Sequence, residues 1–163
     1  VLQEVLLPII FIAISITLAD LGTRDRAQGM QPLLFTAPLV RSWFVWWKAA
    51  TAALIALSFI IVPFLRLALH DSGAALSLLV GTAFLSVMAT SLGVITGSVK
   101  PFLGLIMMFF YLVVNSHGQP AGFDFAGWYG VATVEVRLIY TALTLLLLIS
   151  AHIVYRRQIQ RQY

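Results

Sequence analysis

The chain has 163 residues, 61% of them hydrophobic and 10% charged, with a formal net charge of +4 and no cysteine. Soluble domains carry about 25% charged residues, and exposed apolar surface on this scale aggregates in water, so a soluble domain is excluded and an all-α polytopic membrane protein is implied. The missing cysteines exclude disulfides and thiolate metal sites, and the positive charge, once placed along the chain, points to a membrane face and not to nucleic acid.

The sequence begins at Val1, with no basic segment or small-residue cleavage site around the first apolar run, so no signal peptide is expected. We expect a single membrane domain over residues 1–163, cut from a longer protein just before its first span. Five apolar spans follow. The first covers about Val5 to Ala19 and the second about Trp43 to Leu69, long enough to tilt or protrude. The third covers about Ala74 to Thr96, the fourth Pro101 to Val114, and the fifth about Val134 to Tyr155. Helices are the only assignment that satisfies the backbone in lipid over such lengths. The fourth run is short for a hydrocarbon core that takes about 20 helical residues.

Charge orients the spans. Eight of the ten basic residues fall on one side: Arg24, Arg26, Arg41, Lys48, Lys100, Arg156, Arg157 and Arg161. Only Arg66 and Arg137 fall on the other. The positive-inside bias predicts that the 20–48 loop and the C-terminus are cytoplasmic, in a bacterial inner (plasma) membrane. Trp43, Trp46 and Trp47 at the start of the second span, and Trp128, Tyr129 and Tyr140 near the outer end of the fifth, read as headgroup-layer belts.

The polar segment between the first two spans is the most distinctive. Asp20 or Thr23 is placed to cap a short helix, Gly29 and Pro32 interrupt it, and Leu33, Leu34 and Phe35 form an apolar face. The pattern predicts a short helix, a break and a short amphipathic helix lying on the membrane or in a partner's cleft. The outer segment 115–133 is turn-rich yet holds Phe123, Phe125 and Trp128, which leaves two readings, a surface connector with aromatic anchors or a segment that re-enters the membrane.

Arg24-Asp25-Arg26, Gly29, Leu33-Leu34, Thr36 with Pro38, Arg41 and Lys48 together resemble the cytoplasmic coupling region of ABC transporter permeases of the type-2 exporter class. Two positions depart from that pattern: an Asp stands at 25 where Glu is usual, and Ala37 separates Thr36 from Pro38. The layout of the whole chain is also similar, its five spans matching the second to sixth helices of a six-helix unit. The resemblance implies an exporter permease subunit, working with a second permease chain and a separate cytoplasmic ATP-binding subunit. That subunit would dock on Arg24, Asp25, Arg26, Gly29, Leu33, Leu34 and Arg41, with a smaller contact at Lys100. It also favours a re-entrant outer segment.

The remaining chemistry is sparse. Every span lacks a mid-depth ionisable residue of the kind ion-coupled carriers use. Gly93 to Lys100 echoes a phosphate-binding loop, but the Lys stands too late, and no ATPase site is expected. Gly93 and Gly97 read instead as a small-residue face for helix packing. His70 with Asp71, and His117 with Asp124, are too few for a metal centre, and His152 reads as a packing residue. No cofactor and no catalytic residue is expected. Ser58, Ser86, Thr90, Ser91 and Thr96 give the spans mildly polar inner faces, a lean towards amphipathic cargo. A non-transporting membrane scaffold, or an autonomous channel or secondary carrier, are the alternatives to an exporter subunit.

Overall fold

A computed structural model describes residues 2–30 and 38–160, with only the backbone described for residues 2, 3, 26, 27 and 38–41. The fold is an all-helical membrane bundle. Helix α1 spans Leu2–Leu18, α2 is the single turn Arg24–Ala27, α3 spans Pro38–His70, α4 Ser72–Thr96, α5 Lys100–Ser116 and α6 Val134–Gln160. A 3-10 turn at Ala121–Phe123 lies between α5 and α6.

Among the described residues three helices are long and apolar enough to cross a membrane: α3 from Ser42, α4 and α6. Helix α3, at 33 residues, is about 50 Å long at 1.5 Å per residue and overreaches a hydrocarbon core of about 30 Å. Helices α1 and α5, at 17 residues each, reach about 26 Å. Pro38 opens α3, where the absent N–H costs no helical bond. The α3–α4 turn is tight because Asp71 caps α4 at once, its carboxylate accepting from Gly73 N at 2.8 Å and Ala74 N at 3.1 Å.

Helix α4 is the axis of the bundle. Of its apolar window 67% is buried, against 17% for α3 and 22% for α6. It achieves this with small residues, since Ser77, Gly81, Ser86, Ala89, Ser91 and Gly93 leave room for neighbours on every side. Three of its buried hydroxyls are satisfied within the helix, Thr82, Ser86 and Thr90 donating to the carbonyls of Leu78, Thr82 and Ser86 at 2.7, 2.8 and 3.0 Å, while the buried Ser91 hydroxyl has no partner among the described residues. Ser86, Thr90 and Ser91 are fully buried, while Ser58 and Thr96 are exposed. These residues therefore line no shared polar path, and the lean towards amphipathic cargo loses its basis.

Two buried clusters make up the core of the bundle. The larger joins α1, α3, α4, α5 and α6 to residues Phe125, Ala126 and Trp128. The smaller, with Val45, Val87, Leu148 and Tyr155, joins α3, α4 and α6 at the end carrying the 20–30 loop.

Candidate functional site

The 20–30 segment meets the bundle at two points. At the first, Gly22 lies against Gly93 of α4 so closely that a Cβ on Gly22 would come within 2.7 Å of the Gly93 Cα and 2.9 Å of the Thr90 carbonyl oxygen. Only glycine fits either position without displacing backbone. At the second, the Asp25 carboxylate accepts from Lys48 Nζ, with the Lys48 side chain 11% exposed. Lys48 also lies over the Phe44 ring at 4.9 Å, and Phe44 stacks on Tyr155 of α6 at 4.9 Å and 19°. A charge in the loop is thus linked through α3 to α6.

Between these anchors the segment is open. The Thr23 hydroxyl donates to the Asp20 carbonyl at 3.2 Å, and the Asp20 carboxylate faces Arg24 Nε at 3.8 Å instead of capping the turn. Arg24 is exposed. Gly29 stands at φ +66° with open space around its Cα, and the Met30 N–H closes the turn on the Asp25 carbonyl at 3.0 Å. The expected break at Gly29 is present as a left-handed residue. Leu33 and Leu34 lie outside the described residues, and Arg26 and Arg41 lie in α2 and α3 with only their backbone described.

The second connection at this end is the turn 97–99. Gly97, at φ +67°, ends α4 with its N–H on the Gly93 carbonyl at 2.9 Å. Gly93 and Gly97 therefore have separate duties, one admitting Gly22 and the other turning the chain. Residues 93–96 belong to the last turn of α4, not to a phosphate-cradling loop. Lys100 is exposed at the start of α5. Trp43 and Trp47 are exposed on α3 at the same end, 55% and 70%, as a headgroup belt requires. His152 packs beside Trp46, ring centroids 6.4 Å apart, with Nδ1 buried and unbonded.

The opposite end is built differently. Within 117–133 residues 124–128 are buried among the helices, while 117, 119, 120, 122, 130 and 133 are exposed, so a headgroup belt does not describe the buried part. Trp128 is buried, stacked on Phe110 at 5.2 Å and 13° and edge-on to Phe11 at 5.2 Å. Phe125 touches the rings of Phe11, Phe84, Phe109 and Tyr140 at 5.8–6.0 Å. Tyr140, also buried, donates to the Gly122 carbonyl at 2.8 Å. The belt expected of Trp128 and Tyr140 fails because both rings are needed by this inner cluster. Gly81 of α4 admits the segment, since a Cβ there would lie 2.4 Å from the Ala126 Cβ.

Asp124, fully buried, holds the segment together by accepting from the N–H groups of Trp128, Tyr129 and Val131 at 2.6, 3.2 and 3.1 Å. Burial raises its carboxyl above the ordinary carboxylate range, against the pull of those N–H groups. Arg137 donates from Nε to Ser77 Oγ at 2.9 Å. Among the described residues no three His, Cys, Asp or Glu side chains converge on a metal position.

Sequence reasoning missed Gly22 and Gly81, and weighed Asp124 only beside His117 as too little for a metal centre. For Asp124 a signal existed, in the run of turn residues Gly127 and Gly130 just after an Asp. No family model matches this chain, and neither a curated protein nor a solved structure matches it.

Proposed function

We propose that this chain is a membrane-spanning subunit of an ATP-driven exporter, coupled to a separate cytoplasmic ATPase through residues 20–42 and paired with a second permease chain. The observation that carries the reading is the double anchorage of the 20–30 segment. A push on the exposed turn around Arg24 is passed by Gly22 to the central helix at Gly93, and by Asp25 to α3 and on to α6 through Lys48, Phe44 and Tyr155. Packed elements with such fixed contacts transmit displacement instead of absorbing it. A loop that merely joined two spans would need neither contact.

Energy has to come from another polypeptide on this reading. Chemistry for nucleotide hydrolysis is missing from the sequence, and so is a mid-span ionisable residue to carry a driving ion. The cationic end, with Arg24, Lys100, Arg156 and Arg157, then faces the cytoplasm.

The test is purification of the full-length protein from native membranes in mild detergent, followed by assay of Arg24→Ala. A soluble subunit with a Gly-x-x-x-x-Gly-Lys-Ser/Thr motif is expected to co-purify. Arg24→Ala, exposed and outside the packing, is expected to fold normally and lower ATP-dependent transport several-fold. Isolation of this polypeptide alone, under conditions that preserve comparable complexes, favours a scaffold and overturns the proposal.

A further inference from the structure

At the end of the bundle away from the 20–30 segment, α1 and α3 part to leave a groove of about 340 Å³. That volume lies at the lower end for small-molecule sites. Its walls are Leu6 and Leu7 of α1 and Val62, Pro63 and Leu67 of α3, and its rim is Arg66 and His70. Both helices carry an interior proline at this level, Pro8 in α1 and Pro63 in α3, and neither can donate to the carbonyl one turn back.

We propose that this groove is a binding site for an anionic phospholipid, with one acyl chain against the apolar walls and the phosphate on Arg66. Depth supports the assignment. Arg66 follows Trp46 by twenty residues on one continuous helix, a rise of about 30 Å, which is the thickness of the hydrocarbon core. With the exposed tryptophans in one headgroup layer, Arg66 falls in the other, and the groove beneath it lies among acyl chains.

Charge supports it as well. Arg66 is exposed and forms no ion pair among the described residues. The two nearest acids in sequence or at the groove mouth are turned elsewhere. Asp71 is engaged as the cap of α4. Glu4 has an interaction of its own and lies towards Tyr129, where burial and then the Glu4 charge hold the phenol above its ordinary value. Neither lines the groove. A guanidinium presents paired N–H donors that match phosphate oxygens. His70, one turn further on, places Nδ1 3.0 Å from the Arg66 carbonyl. That nitrogen is the donor, because a carbonyl only accepts, and it leaves Nε2 for a second polar contact. The site does not depend on the exporter reading, since a scaffold would carry it equally.

The experiment is native mass spectrometry of the full-length protein in detergent, titrated with phosphatidylglycerol and, separately, with phosphatidylcholine. One phosphatidylglycerol is expected to bind at least about tenfold more tightly than phosphatidylcholine, because only the former leaves the Arg66 charge uncontested. Arg66→Gln is expected to weaken phosphatidylglycerol binding about tenfold, and Val62→Trp, at a position 74% exposed, to fill the groove and weaken it as much. Arg24→Gln, at the other end, leaves it unchanged. Gel filtration checks that each variant is monodisperse. Equal affinity for the two lipids overturns the proposal, as does unaltered binding in both Arg66→Gln and Val62→Trp. So does a cross-link from Val62→Cys to a second polypeptide in native membranes, which would put a protein helix where the lipid belongs.

Discussion

The two ends of this bundle solve the same problem, a polar connection next to a membrane, in opposite ways. Residues 124–128 are folded inwards, with Phe125 and Trp128 in the main core and a buried carboxylate gathering three N–H groups. Residues 20–30 are held where Gly22 meets Gly93, where Leu21 packs against the core and where Asp25 pairs with Lys48, and Asp20, Arg24 and residues 28–30 are exposed. The first arrangement resists movement, because any displacement opens a cavity or strands a buried polar group. The second is tied to the helices it touches and keeps an exposed surface.

The largest expected break in this contrast is Trp128→Ala. It removes a buried indole packed on Phe110 and Phe11, and about 3–5 kcal/mol of stability should go with it. Thermal unfolding in detergent checks this, and hydrogen exchange should show the loss of protection centred on 117–133. A drop below about 1 kcal/mol would mean that the inward-folded end is not closed.

A smaller effect is expected from Gly22→Ala. Its Cβ meets backbone on the α4 side, so the loop shifts at a cost of about 1–3 kcal/mol. The sharper signature is the pairing of a modest stability loss with raised exchange in residues 20–30 and no change at 117–133. Uniform loosening of both ends would erase the distinction.

The finest test is pH. Asp124 has a raised carboxyl in the folded state, so the folded segment binds that proton more tightly than the unfolded chain does. Its contribution is therefore fully present below the ordinary carboxylate value and declines as pH rises through the folded value. Exchange of the Trp128, Tyr129 and Val131 amides, corrected for intrinsic rate, should be slower at acid pH than at neutral. Asp124→Asn should flatten that slope. A slope of opposite sign would mean that the N–H groups outweigh burial.

Much of the layout was legible in the sequence, for reasons that differ by element. The helices were readable because lipid forces each span to be apolar and self-bonded, a local requirement, and α4, α5 and α6 begin and end within a few residues of their expected bounds. Helix α3 starts earlier, at Pro38, since a proline at the first turn is indistinguishable in sequence from one that ends a segment. Trp128 was misassigned because an aromatic at the end of a span reads alike whether its ring sits among headgroups or turns into the core. Gly93 was marked as a packing residue, but nothing in the sequence identified Gly22, seventy-one positions away, as what it packs against. Leu33 and Leu34, prominent in the candidate site, lie outside the described residues.

What the sequence determined by itself is an all-helical membrane protein with most of its basic residues gathered at one end, because hydropathy and charge act residue by residue against the solvent. Only the tertiary structure decided that α4 is the axis, that residues 124–128 are drawn inside, and that Asp25 is matched with Lys48. Those are contacts between distant positions, settled by which small residue leaves room and which buried polar group is in reach.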